Sequence, residues 1–125
     1  MVVFGGFVRG ERTNDVYRYL VKENKWELVR PFSGAQPCPR AGHSCVAYND
    51  SIFVFGGKDE DNNKLSDFWE FNLITAKWTQ IPNNDQVKPR SGHTAVIYKE
   101  FMVIFGGIIE ITHELNDLVM FDFKG

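Results

Sequence analysis

Two histidines, His43 and His93, are the side chains of this 125-residue chain that most invite a chemical reading. A neutral imidazole can hold a transition metal or move a proton near neutral pH. A third, His113, stands beside Glu110 and Glu114, so one imidazole and two carboxylates share a short segment. That is a thin ligand set, and a surface loop is the expectation there. The two cysteines, Cys38 and Cys45, form no Cys-x-x-Cys pair. They are read as reduced thiols of a cytosolic protein. Asn49-Asp50-Ser51 matches a glycosylation sequon and is read as a polar turn. No nucleophile, base and acid fall into a catalytic pattern, and no glycine-rich loop has the spacing that cradles phosphate.

The two histidines have the same surroundings. Pro39-Arg40-Ala41-Gly42-His43-Ser44 returns fifty positions later as Pro89-Arg90-Ser91-Gly92-His93-Thr94. The offset holds without a gap through Phe55-Gly56-Gly57 and Phe105-Gly106-Gly107, Asp67 and Asp117, and Phe71 and Phe121. A partial copy precedes them, with Phe4-Gly5-Gly6, Asn14-Asp15, Tyr19 and Trp26, the last matching Trp78. A catalytic residue normally occurs once, whereas a residue that recurs in every unit serves the unit. His43 and His93 are therefore expected to hydrogen-bond at the start of an inner strand and to hold no metal. Gly42, Gly92 and the glycine pairs are expected to take backbone conformations that admit close approach. Trp26 and Trp78 are expected to fill the gap between units. Arg40 and Arg90 need an acid, and Asp67, Asp117 or an acid of a neighbouring unit are the candidates.

Each unit offers four strand-like stretches. The first is small and apolar (Gly42–Tyr48, Gly92–Tyr98), and the second is a short apolar run ending in Gly-Gly (Ile52–Phe55, Met102–Phe105). The third alternates (Asp15–Leu20, Asp67–Leu73, Asp117–Phe123), and the fourth carries the tryptophan (Lys25–Val29, Lys77–Ile81). β-Branched and aromatic residues dominate, and no stretch holds a helical period. Four antiparallel strands repeated at this spacing describe a propeller blade.

The order Pro-Arg-x-Gly-His, Phe-Gly-Gly, Asn/Ser-Asp, aromatic, Trp resembles the kelch repeat over essentially the whole chain. The resemblance implies an all-β fold, a kelch-type β-propeller fragment of about two and a half four-stranded blades. Its expected units are a partial blade at 1–38, a full blade at 39–88 and a partial blade at 89–125. A propeller closes with roughly four to eight blades, so more chain is expected before Met1, or several chains share a ring. Strand phase counts against the ring, because a chain ending at strand three does not hand over to one starting at strand two. The resemblance also implies a protein–protein interaction module, a scaffold or adaptor that needs no cofactor and is not an enzyme. Two alternatives come with it: a purely structural segment, or part of a metal-dependent kelch-fold enzyme whose site lies in other blades. For the copper oxidases of this fold, two Tyr, two His and a Cys would have to converge, and Cys45 and Tyr48 lie instead in a repeated strand. For the iron-dependent specifier proteins the string Glu-x-x-x-Asp-x-x-x-His is needed, and it does not occur.

The composition narrows the partner. A formal net charge of -2 with no basic cluster argues against nucleic acid or an anionic membrane surface. The apolar runs are too short to span a bilayer, and the N-terminus does not read as a signal peptide. Another protein is the expected partner, in the cytoplasm, with self-association through exposed blade edges. The expected working surface is the blade end carrying the second-to-third loops and the links Arg30–Pro39 and Pro82–Pro89. The opposite end has only the short turns Glu23-Asn24, Asn49-Asp50, Thr75-Ala76 and Lys99-Glu100. The three loops, Phe7–Asn14, Lys58–Ser66 and Ile108–Asn116, differ in chemistry. The first offers Arg9, Glu11 and Arg12; the second Lys58, Asp59, Glu60 and Asp61; the third Ile108, Ile109, Ile111 and His113. Long loops on a rigid scaffold are where binding usually resides.

Overall fold

The computed structural model describes residues 1–83 and 86–124. Among these the chain is all β, in four antiparallel sheets with no helix. The first sheet holds β1 (Val2–Val8), β2 (Glu11–Leu20) and β3 (Lys25–Val29). The second is a complete four-stranded meander of β4 (Ser44–Tyr48), β5 (Ser51–Phe55), β6 (Phe68–Asn72) and β7 (Lys77–Ile81). In the third, β9 (Phe101–Phe105) lies between β8 (Thr94–Tyr98) and β12 (Leu118–Asp122). A two-stranded ribbon, β10 (Ile108–Glu110) and β11 (His113–Glu114), projects from the third sheet.

The tight turns follow from local chemistry. Tyr48 pairs with Ser51 and Tyr98 with Phe101, which leaves the two-residue turns Asn49-Asp50 and Lys99-Glu100. Their first residues sit at φ +54, the left-handed geometry that two-residue hairpins demand. The β6–β7 turn is organised by Asn72, whose Oδ1 accepts the N–H groups of Ile74 and Thr75 at 2.9 and 3.1 Å.

The sheets stack face to face, and two apolar layers hold them. Phe4 and Val16 of the first sheet meet Ile52, Val54, Trp69, Phe71 and Trp78 of the second. Phe53, Phe55 and Phe68, on the other side of the second sheet, meet Met102 and Ile104 of the third. This explains why β5 reads as an unbroken apolar run. Both of its faces are covered, so all five of its residues are buried and nothing favours alternation.

Trp78 fills the gap between the first two sheets, with ring centroids 5.0 Å from Phe4 and 4.8 Å from Phe71. Trp26, the matching residue of the first sheet, has no such neighbour among the described residues. It is half exposed, its ring neighbour is Tyr19 of its own sheet, and among the described residues no second sheet packs on that face.

Candidate partner-binding face

The frame beneath the loops is built from the repeated polar residues. Arg40 is fully buried and donates to both carboxylate oxygens of Asp67 at 2.7 Å. It also donates to the carbonyls of Cys38 and Gly56, each at 3.1 Å. Arg90 repeats this with Asp117 at 2.6 and 2.8 Å and with the carbonyls of Lys88 and Gly106. Both acids thus lie in the same blade as their arginine. A forked guanidinium suits this task, since it binds a carboxylate with two oxygens and has donors left for carbonyls. Burial works to raise the Asp67 carboxyl, but the hydrogen bonds and charge of Arg40, with the Trp69 N–H, hold it below its usual range. For Asp117 the hydrogen bond from Arg90 dominates in the same direction.

The histidines join blade to blade. His43 Nε2 donates to the carbonyl of Phe4 in the preceding sheet at 2.7 Å, and His93 Nε2 lies 2.8 Å from Ser44 Oγ. Burial, followed by the nearby Arg90 charge, brings His93 down to about 4, and burial likewise lowers His43. Both rings are therefore neutral at physiological pH. Backbone bonds run beside them: Gly6 N–H to Arg40 O at 2.9 Å and Gly57 N–H to Arg90 O at 2.8 Å. At Gly57, φ is +99 and a Cβ would stand 2.8 Å from the Ala41 carbonyl oxygen, so a side chain there would collide with the strand it supports.

This frame carries three second-to-third connections, and their form differs from the expectation for the first. Phe7–Asn14 is not an open loop. β1 continues to Val8 and β2 begins at Glu11, with pairs Gly6–Thr13, Phe7–Arg12 and Val8–Glu11. The turn is Arg9-Gly10, both at positive φ. The third connection likewise folds into β10 and β11, and in the second Lys58 bridges Lys64. All three are short ribbons continuing past the glycine pair.

The ribbons stand side by side. The Arg12 N–H donates to Glu60 Oε1 at 2.6 Å and its guanidinium to Asn62 Oδ1 at 2.8 Å, which ties the first ribbon to the second. The Arg12 guanidinium also lies 5.8 Å from the centre of the Phe7 ring. Asp59 is turned inward on its own loop and accepts from the backbone N–H groups of Asp61 and Asn63. Between the second and third ribbons runs an open groove of about 640 Å³ lined by Lys58, Asn62, Lys64, Glu110, Ile111 and Thr112. Ile111, at the ribbon tip, is 96% exposed, while Ile108 and Ile109 are half-buried. Arg9, Glu11, Glu60, Asp61 and His113 are exposed. The structure thus brings the expected loop residues onto one end, but Arg12, Glu60 and Asp59 are engaged within it. The cross-ribbon bonds escaped sequence reading because they join residues 48 and 50 positions apart with no repeat counterpart.

The links join the same end. Asn14 Nδ2 donates to Pro37 O at 3.0 Å, and Arg40 and Arg90 N–H groups donate to Thr13 O and Leu65 O. The Arg30–Pro39 link is not confined there, since Phe32 N–H donates to Ala76 O in the β6–β7 turn. Residues 84 and 85 of the Pro82–Pro89 link lie outside the described residues. Both cysteines are free and exposed, and among the described residues no three of His, Cys, Asp or Glu come together as a metal would need.

Comparison with known proteins follows the same lines. A family model described as the KLHDC2/KLHL20/DRC7 Kelch-repeats domain matches residues 1–125. Human host cell factor 2 is 38% identical over 85 residues, covering 58% of this chain and 11% of that protein. Mouse kelch domain-containing protein 1 is 36% identical over 80 residues, covering 63% of this chain and 20% of that protein. The Drosophila melanogaster leucine-zipper-like transcriptional regulator 1 homolog is 33% identical over 89 residues, or 65% of this chain and 9% of that protein. The chain therefore spans a fifth or less of the length of these relatives. With the recurring Arg–Asp forks, inter-blade histidines and glycine pairs, the full-length match shows that this chain belongs to the kelch-repeat family, as a β-propeller fragment.

Proposed function

We propose that the chain is a non-catalytic scaffold or adaptor segment that holds a partner protein against its three ribbons. Kelch repeats are generally protein-interaction modules. The observation that supports a partner at this face is the ribbon cluster itself. Three connections of unlike chemistry lie at one end, the first tied to the second through Arg12, Glu60 and Asn62, and the groove between the second and third ends at an almost wholly exposed isoleucine. A rigid frame with an apolar tip beside the lysines Lys58 and Lys64 has the makings of an anchor with an orienting rim. A polar protein surface carrying one apolar contact and acidic groups fits this groove. The proposed compartment is the cytoplasm.

The test is affinity capture from cytosolic extract with wild-type protein, Ile111→Asp and Lys58→Glu/Lys64→Glu. Proteins retained by wild type and lost with the two ribbon variants support the reading. Retention of the same proteins by all three overturns it.

A further inference from the structure

The second ribbon sets two like charges side by side. Lys58 and Lys64 are bridge partners in an antiparallel pair, so both side chains leave the same face of the ribbon. Like charges placed opposite each other in this way repel. Both lysines are half-buried, and among the described residues neither is in an ion pair. The wall they stand on is held from within. Asp59 accepts the N–H groups of Asp61 and Asn63 and the Asn63 side-chain amide, at 3.0, 2.9 and 3.2 Å. Arg12 occupies Asn62 Oδ1, which fixes that amide and leaves its Nδ2 donors over. Across the groove, Glu110, Ile111 and Thr112 form the other wall. Their ribbon is seated on the frame by reciprocal backbone bonds between Ile108 and Ser91, at 2.9 and 3.1 Å. One wall is therefore cationic, and the other pairs an acid with an apolar tip.

We infer that this groove takes a phosphorylated serine or threonine on an extended segment of the partner protein; the inference rests on the ribbons being the partner-binding face proposed above. Charge complementarity commits the site to that occupant. A carboxylate brings a single charge and leaves one of the two lysines unmatched. A phosphomonoester brings about −1.5 to −2 at neutral pH and three acceptor oxygens. That charge matches two ammonium groups, and the third oxygen is left for Asn62 Nδ2 or the Thr112 hydroxyl. Lysine binds phosphate as a point charge, so the site does not need the fork of an arginine.

The opposite wall selects the neighbouring residues. Successive side chains of an extended chain point to opposite sides. With the phosphate on the lysine wall, the residues before and after it meet the third ribbon. One meets Glu110 and should be basic, and the other meets Ile111 and should be apolar. Glu110 repels a segment made only of acids, which makes a run of carboxylates the poorer occupant.

Degenerate seven-residue peptide pools test it, with phosphothreonine, threonine or glutamate fixed at the centre. Fluorescence anisotropy reads each pool's affinity for the chain, and sequencing reads the retained peptides. The phosphothreonine pool should bind at least about tenfold more tightly than the other two. Lys58→Gln/Lys64→Gln should abolish that preference. Retained peptides should be enriched in Lys or Arg on one side of the phosphothreonine and in apolar residues on the other. Glu110→Lys, at an exposed ribbon position, should turn the basic preference acidic, and it serves as the second variant should the lysine pair's replacement lose its β circular dichroism. Equal binding of the phosphothreonine and threonine pools overturns the inference. Equal binding of the glutamate pool does so in favour of a carboxylate, and a preference that survives Lys58→Gln/Lys64→Gln overturns it as well. Failure of all three pools alongside capture from extract that still depends on the ribbons removes this inference alone. Capture that ignores the ribbon variants removes the reading beneath it.

Discussion

Gly57→Ala should unfold the chain far more easily than Gly6→Ala, although the two glycines hold equivalent places after a phenylalanine and a first glycine. Their backbones are nearly the same, at φ +99 and +108, a region that L-residues rarely adopt. Each substitution therefore meets the same conformational penalty, on the order of 1–3 kcal/mol. Only Gly57 adds a collision. A Cβ there stands 2.8 Å from the Ala41 carbonyl oxygen, 2.9 Å from His43 Cβ and 3.0 Å from His43 N, while at Gly6 nothing lies within 4 Å. The atoms in the way are backbone and a Cβ, so relief requires moving the segment that carries Arg40 and His43. Crowding of this kind costs about 1–3 kcal/mol. The total for Gly57→Ala is about 2–6 kcal/mol, against about 1–3 for Gly6→Ala. At roughly 3–6 °C per kcal/mol for a chain of this size, Gly57→Ala should melt on the order of 3–18 °C below Gly6→Ala. Thermal unfolding by circular dichroism at one fixed, low protein concentration reads the difference. Equal melting temperatures would refute the claim that the second glycine is required by close approach to the inner strand.

His93 makes stability depend on pH between about 4 and its ordinary 6.5. The unfolded chain binds the proton first on acidification, so stability is full above 6.5 and falls until the folded-state ring also titrates. The loss is on the order of 3 kcal/mol, read as a falling urea midpoint, and His93→Gln should flatten it. Charge at this ring would face Arg90, and His43 lies near enough to add to the repulsion. Asp67→Asn should cost about 3–5 kcal/mol, because it leaves a fully buried guanidinium without its counter-charge. Asp117→Asn should cost clearly less, since that carboxylate is 43% exposed and water can approach the pair; denaturant melts compare the two. Ile111→Asp should leave the melting temperature within about 1–2 °C of wild type, as expected of a surface change, while weakening partner capture.

The repeat made much of this architecture legible. Phe-Gly-Gly endings, two-residue turns and a tryptophan strand each have local causes, and β3 and β7 begin and end at the bounds of the tryptophan-bearing stretches, Lys25–Val29 and Lys77–Ile81. The first ribbon was harder. Arg9-Gly10 is an unusual two-residue turn, since Asn or Asp tolerates positive φ better than Arg does, and the polar stretch from Glu11 resembles a loop. The burial of Trp26 could not be inferred from its match with Trp78. A side chain's exposure depends on the neighbouring sheet and not on its own unit. Which acid each arginine takes, and which acceptor each histidine reaches, depends on inter-strand and inter-blade geometry. Arg12 and Asp59, which looked free for a partner, are already bonded within the ribbons. Lys58, Lys64 and Ile111 are for that reason the sharper probes of binding.

Hydrogen–deuterium exchange of the chain alone and with a captured partner tests the central claim most directly. Slowed exchange should appear at residues 7–12, 58–64 and 108–114, while the turns Asn49-Asp50 and Lys99-Glu100 stay as in the free chain. Slowed exchange at those turns, with the three ribbons unaffected, would place the partner on the opposite end and contradict the account.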